Sequence, residues 1–242
     1  MAPYLSIVIP ARNEEARLPD SLRSIFDFLG RQPYSAEVLV VDNDSQDATA
    51  QIVRGLGAVH PNLILEAETR HGKGAAVRKG MLRAGGEFRF ICDADLSMPI
   101  AYLPRFLPPA LPDTDVAIGS REVRGAIRYG EPPHRHWIGR AFNTLVRLLA
   151  VPGFQDTQCG FKCFRAGAAE DLFRLQRLDG WTFDVEILFL AQRRGYRITE
   201  IPIPWYYMPG SRVHVLSDSA AMFFDLIRIR RNWARGVYGR ST

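Results

Sequence analysis

Short β-rich runs alternate with stretches of helical spacing through the first half of this chain, and three of the runs end in polar clusters. Tyr4–Ile9 is β-rich, and Leu18, Leu22, Ile25, Phe26 and Leu29 then recur at helical spacing. Glu37–Val41 reads as a second strand, closed by the turn-forming and helix-capping run Asp42-Asn43-Asp44-Ser45. Ala48–Leu56 reads as a helix, Asn62–Glu66 as a third strand, Gly72–Ala84 as a helix with a glycine-rich start, and Glu87–Cys92 as a fourth strand. A β-α-β-α-β order argues for a mainly parallel, doubly wound sheet flanked by helices. Such sheets bind ligands beyond the carboxyl ends of their strands. Pro10–Glu14, Asp42–Ser45 and Asp93–Asp95 all fall at such ends, and their common placement says more than any one of them.

Asp93-Ala94-Asp95 is the most chemically specific of the three. Two carboxylates one residue apart at the end of a buried run, Phe88-Arg89-Phe90-Ile91, are costly to bury without a partner. A divalent cation that is itself held by phosphate oxygens is the usual partner. The pair therefore points to a nucleotide diphosphate and a hard metal ion, with Asp93 and Asp95 as the metal-side residues.

Beyond Asp95 the pattern loosens. Pro99–Leu111 is expected to be helical, Asp115–Gly119 a strand, and the Arg-, Gly- and Pro-rich residues 121–135 a candidate mobile loop. Trp137–Val151 reads as an apolar helix carrying Arg140 and Arg147, Phe161–Phe164 as a strand, Phe183–Arg194 as a helix and Arg197–Ile201 as a late strand. Without repeats, low-complexity tracts or a linker, residues 1–217 read as one catalytic domain and 218–242 as a basic amphipathic tail. In the tail Met222, Leu226, Ile229 and Trp233 share a helical stripe, with Arg228, Arg231 and Asn232 away from it. Such a helix suits a bilayer interface, or the stripe packs on the protein's own core.

Composition sets the partner class. A net charge of +5 and a pI near 9.3 suit anionic ligands or an anionic membrane surface, and no nucleic-acid recognition motif is present. Only three of the 31 basic residues are lysines, Lys73, Lys79 and Lys162, which marks places where a compact ammonium is wanted. The three cysteines, Cys92, Cys159 and Cys163, read as small buried residues. Their odd count and the lack of a secretory signal favour a reducing, cytoplasmic setting. No segment approaches 18 uninterrupted apolar residues, so no membrane-spanning helix is expected.

The motifs in order, Ile7-Val8-Ile9-Pro10-Ala11-Arg12-Asn13-Glu14, Val40-Val41-Asp42-Asn43-Asp44-Ser45, Gly72-Lys73-Gly74-Ala75-Ala76-Val77-Arg78 and Asp93-Ala94-Asp95, resemble a family 2 glycosyltransferase with a GT-A fold. Gly119-Ser120-Arg121, Asp156-Thr157-Gln158-Cys159-Gly160-Phe161-Lys162 and Trp181-Thr182-Phe183-Asp184-Val185-Glu186 are similar to the branch that glycosylates polyprenyl or dolichyl phosphate, dolichyl-phosphate β-glucosyltransferases most of all. The resemblance implies an inverting, Mg²⁺- or Mn²⁺-dependent transfer from a nucleotide sugar, UDP-linked rather than GDP-linked, on the cytoplasmic face of a membrane. By resemblance Pro10, Asn13, Glu14, Asp42, Lys73, Asp93, Ala94, Asp95 and Gln158 line the nucleotide-sugar pocket, Asp42 accepts from the base, and Asp95 ligates the metal directly.

The acceptor side needs cations, because a lipid phosphate must approach a donor diphosphate. Arg121 and Lys162 are the first candidates, followed by Arg135 and Arg140. A phosphate ionised near neutral pH needs little general-base help, so Asp156 either serves as a base or orients Lys162 or an arginine, and the orienting role is favoured. Trp181, Phe183 and Trp205 read as core more readily than as sugar platforms, and Asp184 and Glu186 as residues suited to a helix N-terminus. The chain departs from its relatives in carrying Asp42-Asn43-Asp44-Ser45 for the commoner Asp-Asp-Gly-Ser, and Ser97 where mannosyl relatives carry a metal-binding Gln. The rival readings are a soluble sugar or glycan acceptor, a sugar-phosphate nucleotidyltransferase, and a non-catalytic nucleotide-binding module. The nucleotidyltransferase is disfavoured because Pro10–Glu14 replaces a glycine-rich loop after the first strand.

Overall fold

The computed structural model describes residues 2–132, 137, 140, 143, 144, 146–208 and 215–239. A seven-stranded mixed sheet forms the centre. In chain order its first strands are β1 (Leu5–Ala11), β2 (Ala36–Asp42), β3 (Leu63–Ala67), β4 (Phe88–Ile91) and β5 (Val116–Ser120). A short β6 (Ile127–Tyr129) stands apart, and β7 (Lys162–Arg165), β8 (Ile198–Pro202) and β9 (Pro204–Tyr206) follow. The spatial order is β3-β2-β1-β4-β7-β5-β8, with β6 and β9 paired separately. Helices α1 (Leu18–Leu29), α2 (Thr49–Gly57) and α3 (Lys73–Arg83) form the crossovers between the first four strands. Helices α4 (Ala166–Leu175), α5 (Phe183–Arg193) and α6 (Val215–Ala234) come from the second half.

The strands of the first half are parallel, as the alternating order requires: β1 pairs with β2 and β4, and β2 with β3. β1 and β2 read as nearly continuous apolar runs because helices cover both faces of the sheet. Two apolar layers result. One packs Val8, Leu39 and Val41 with α3, α4 and α5, and the other packs Ile7, Ile9, Val38 and Val40 with α1.

One strand breaks the parallel pattern and matters for function. β7 runs antiparallel to both β4 and β5, with Ile91 opposite Lys162 and Ile118 opposite Lys162. Its beginning therefore lies beside the ends of β4 and β5. Asp93, Lys162 and Arg121 are brought to one edge although they are far apart in the chain.

Three expectations are corrected. Pro99–Leu111 is not an α-helix but a single 3₁₀ stretch, Ile100–Phe106. Pro104 sits inside it and Pro108 and Pro109 follow, and none of these residues has the N–H that an α-helix would use. Residues 121–132 are not a bare loop. β6 pairs in parallel with β9, and Arg128 bridges Glu122 and Glu131. Helix α4 had no counterpart in the sequence reading. The expected helix Trp137–Val151 lies partly outside the described residues, and those described between 137 and 149 are helical, with Trp137 and Leu148 exposed.

The tail stripe packs on the protein's own core. Leu226 and Ile229 are fully buried, Met222 nearly so, and Trp233 meets Phe189 of α5 edge-on. The opposite face exposes Phe224 and Ile227 beside Arg228 and Arg231, while Arg230 flanks the buried stripe and donates to the Leu149 carbonyl (3.0 Å). Among the described residues no helix is long and apolar enough to cross a membrane.

Candidate active site

The ends of β1 and β2 are laced together by their polar clusters. Asn13 donates its backbone N–H to Ser45 Oγ (2.8 Å), and Asn13 Oδ1 accepts from the Gln46 N–H (2.7 Å). The Glu14 N–H reaches Thr49 Oγ1 (2.7 Å). Asn13 and Asp44 adopt positive φ (49° and 57°), which short polar side chains tolerate in tight turns. Asp42 Oδ1 accepts from the Ser45 N–H (3.3 Å), and Pro10 is partly exposed at the same edge.

Asn43 explains the departure from the commoner motif. It is buried, donates Nδ2 to the carbonyls of Glu68 (3.0 Å) and Arg70 (2.7 Å), and accepts from the Gly72 N–H (3.0 Å). It thus ties the end of β2 to the start of α3. Gly72 is required there: it has φ +125°, and a Cβ would lie 2.1 Å from the Asp179 carbonyl oxygen.

The Asp-x-Asp pair follows β4 as expected. Ala94 is buried, whereas Asp93 and Asp95 are half-buried and open to the edge. Asp95 Oδ1 accepts from the Ser97 N–H (3.1 Å) across a tight turn. Leu96, inside that turn, holds φ at 45°, a strained value for a bulky residue next to a functional group. Lys73, the first residue of α3, pairs with Asp93 Oδ1 at 2.5 Å and lies over the Trp181 ring. Gly160 presses against the other side of Asp93, where a Cβ would fall 1.9 Å from Oδ2.

On the acceptor side Asp156 is fully buried. It accepts from the Arg121 backbone N–H (3.0 Å), Nε (2.6 Å) and Nη2 (2.9 Å), a bidentate clamp reinforced by the main chain. The Gln158 N–H points to the same carboxylate (3.3 Å). The Arg121 and Arg128 guanidiniums both lie over the Trp205 ring, at 5.5 and 5.8 Å, so this tryptophan carries arginines on one side and core on the other. Lys162 is 1% exposed, pairs with Asp184 at 2.7 Å, and donates to the Cys159 carbonyl. Arg140 is exposed on the helical segment and Arg135 lies outside the described residues. The three cysteines are buried and unbridged.

These groups form an alternating series of charges: Lys73 with Asp93, Asp184 with Lys162, and Asp156 with Arg121. Burial alone would raise the Asp156 carboxyl, but the Arg121 guanidinium overrides it and holds that carboxyl down at about 2. Burial likewise opposes ionisation of Asp93, and the Lys73 ammonium prevails and lowers it. For Asp184 burial prevails over the nearby Lys162 and Lys73, and its carboxyl is raised.

Asp95 is the exception in the series. Among the described residues no cation pairs directly with it, and no group of three His, Cys, Asp or Glu forms a closed metal cage. This donor set fits a hard divalent ion that takes one or two carboxylates and completes its shell with phosphate oxygens. It does not fit a structural zinc site.

Sequence reasoning placed Asp42, Asp93 and Asp95 at strand ends and named Lys73, Arg121 and Asp156 as candidates without a position, and the structure sets all six at one edge of the sheet. It missed the roles of Asn43, Gly160 and Asp184. The signal for Asp184 was present, a carboxylate directly after Phe183 at the start of a mainly apolar helix, but it was read as a helix-end preference or a contact to sugar hydroxyls.

Known proteins are similar to this chain in sequence and in fold. The family model described as Glycosyl transferase family 2 matches residues 6–173. The dolichyl-phosphate beta-glucosyltransferase of Dictyostelium discoideum is 32% identical over 249 residues, covering 97% of this chain and 76% of that protein. The enzyme of the same name from Drosophila melanogaster is 34% identical over 250 residues, covering 97% and 76%. Among solved structures, mannosyl-3-phosphoglycerate synthase from Rubrobacter xylanophilus aligns with a TM-score of 0.70 at 19% identity, over 97% of this chain and 76% of that one. Glucosyl-3-phosphoglycerate synthase from Mycobacterium tuberculosis in complex with Mn²⁺, UDP and phosphoglyceric acid aligns at 0.69 with 18% identity, over 98% and 79%. The family match over most of the chain, the relatives above 30% identity and the shared fold agree: the chain is a glycosyltransferase of GT-A fold and belongs to glycosyl transferase family 2.

Proposed function

We propose that this glycosyltransferase moves glucose from UDP-glucose to a polyprenyl or dolichyl phosphate, with inversion at the anomeric carbon. The observation that carries the reading is the Arg121 guanidinium, locked by Asp156 at the same sheet edge as Lys73, Asp93 and Asp95. An enzyme that joins two phosphate-bearing substrates needs cations on both sides of the sugar. The names of the relatives, dolichyl-phosphate beta-glucosyltransferases, support the acceptor class.

In this reading Pro10, Asn13, Glu14 and Asp42 line the nucleoside end of the pocket, and Asp42 accepts from the base. Lys73 faces the diphosphate, with Ala94 and Gln158 along the pocket wall. Asp95 and Asp93 hold Mg²⁺ or Mn²⁺, which when bound with the nucleotide neutralises the diphosphate and the charge that develops on the leaving group. Arg121 receives the acceptor phosphate, and Arg140 and Arg135 are the further candidates to contact it. Lys162, buried against Asp184, acts on that phosphate through its charge and through the placement of Asp184 rather than by contact. An acceptor phosphate oxygen attacks the anomeric carbon as the bond from that carbon to the diphosphate breaks. The nucleophile is already ionised, and a carboxyl held at about 2 is a poor base, so Asp156 orients Arg121.

Membrane access is assigned to the outer face of α6, where Phe224 and Ile227 stand beside Arg228 and Arg231. Each basic side chain near an anionic leaflet contributes about 1 kcal/mol. In this reading the enzyme works peripherally, on the cytoplasmic face of a membrane.

Labelled UDP-glucose incubated with polyprenyl phosphate and Mg²⁺ or Mn²⁺ tests the proposal. Transfer to lipid is expected, and Asp95→Asn should abolish it while the thermal unfolding midpoint stays put. Failure with every common UDP- or GDP-sugar would refute the reading, and transfer to 3-phosphoglycerate instead of lipid would move it to a soluble acceptor.

A further inference from the structure

We propose that Glu186 and Tyr238 are positioning residues for the nucleotide-sugar pocket: the end of the chain braces, through Glu186, the loop that fixes the start of α3 and with it Lys73. The inference rests on the pocket assignment above.

Glu186 lies in the first turn of α5 and is fully buried, yet it faces no cation directly among the described residues. One oxygen accepts from two successive backbone N–H groups, Arg177 (3.0 Å) and Leu178 (2.8 Å). The other accepts from the Tyr238 hydroxyl at 2.6 Å, and Tyr238 is itself 1% exposed. A buried carboxylate needs its lone pairs satisfied, and here they are spent on holding two distant segments together. Asp225 adds a second tie from α6, accepting from Thr182 Oγ1 at 2.9 Å.

The loop held by Glu186 is the one that seats α3. Gln176 Nε2 donates to the Gly74 carbonyl (2.9 Å) and the Leu178 carbonyl (2.7 Å), and the Ala75 N–H donates to the Asp179 carbonyl (3.1 Å). Gly72 and Gly74 exist to allow that approach, since a Cβ on either would fall within 2.7 Å of a loop carbonyl oxygen. The loop then continues into Trp181, which lies beside Lys73. A continuous path therefore runs from Tyr238 through Glu186 and residues 176–181 to the ammonium beside Asp93. The Glu186 carboxylate joins Tyr238 to the two loop amides, and Gln176 and Asp179 of the same loop join it to the start of α3.

Tyr238→Phe removes one hydroxyl and no volume, which makes it the discriminating variant. UDP affinity in the presence of Mn²⁺, read by calorimetry, is expected to fall about fivefold or more, in line with loss of one hydrogen bond to a charged group. The donor KM should rise with it while kcat at saturating donor changes less than twofold. Amide hydrogen exchange at Arg177, Leu178 and Ala75 should speed up together, and Glu186→Gln should fall between wild type and Glu186→Ala. Unchanged UDP affinity with unchanged exchange at those three amides would overturn the inference. Exchange reads the brace without any nucleotide, so a wild-type protein that binds no UDP would sink the proposed function while leaving the brace to be judged on the amides.

Discussion

Asp156→Asn separates an orienting carboxylate from a catalytic base. Asp156 takes three hydrogen bonds from Arg121, at 2.6, 2.9 and 3.0 Å, and is shut away from water. Its carboxyl is lowered from 3.8 to about 2 although burial pushes the other way. That depression leaves about 2 kcal/mol of interaction in favour of the ionised form after desolvation. Losing it should free Arg121 from its fixed pose and lower kcat/KM for the lipid acceptor roughly 30-fold. Stability should fall by about 2–4 kcal/mol, toward the low side for a broken buried pair because Arg121 is 21% exposed and can turn toward water. The decisive assay is a double-mutant cycle with Arg121→Gln, read as acceptor kcat/KM. An orienting carboxylate has nothing left to orient once Arg121 is gone, so the double variant should be about as slow as Arg121→Gln alone. Penalties that multiply, together with a shift in the acid limb of the pH–rate profile in Asp156→Asn, would show that Asp156 takes a proton and would refute the reasoning.

Three further outcomes follow from the same geometry. The folded-state carboxyl of Asp156 lies below its ordinary value, so its contribution to stability is complete above about pH 4 and is lost as pH falls toward 2. Urea midpoints of Asp156→Asn should accordingly be flatter than wild type across that window. Gly160→Ala should push Asp93 off Lys73, since the new Cβ would lie 1.9 Å from Oδ2, and should cut UDP–Mn²⁺ affinity at least tenfold by calorimetry. Wild-type affinity would show that this contact does not hold Asp93. The two faces of α6 should part company: Leu226→Ala, fully buried, should cost about 2–4 kcal/mol in denaturant. Phe224→Ser, 69% exposed, should leave stability within about 0.5 kcal/mol and reduce flotation with anionic vesicles; unchanged flotation would remove the outer face from the lipid contact.

What the sequence disclosed follows from how each feature is written in it. The parallel half was legible because each strand is a short apolar run ended by a polar cluster, and each crossover helix has helical spacing. Helix α4 was not, because Ala166-Gly167-Ala168-Ala169 carries little apolar contrast and a glycine argues against a helix. The 3₁₀ stretch was overcalled since its apolar spacing resembles an α-helix while its prolines forbid the backbone bonds. β6 escaped because its partner, β9, lies 77 residues further on, from Ile127 to Pro204, and composition is silent about such pairings.

The site divides along the same line. Asp93 and Asp95 announce themselves because two carboxylates at a strand end have no cheap structural explanation. The pairing of Lys162, itself singled out by the sequence, with Asp184 does not, because it forms only once β7 has been turned antiparallel beside β4. A chain that must hold a donor diphosphate, a metal and an acceptor phosphate within one edge cannot scatter free charges there, since each would bind an ion of its own. In the proposed function it sets them in pairs instead, and among the described residues no cation pairs directly with Asp95 on the donor side. Arg121, clamped yet 21% exposed, keeps the other opening. In the proposed function Asp95 and the partly exposed Arg121 are the groups that meet the metal and the incoming phosphate. The pairing of the rest is what keeps those two distinct.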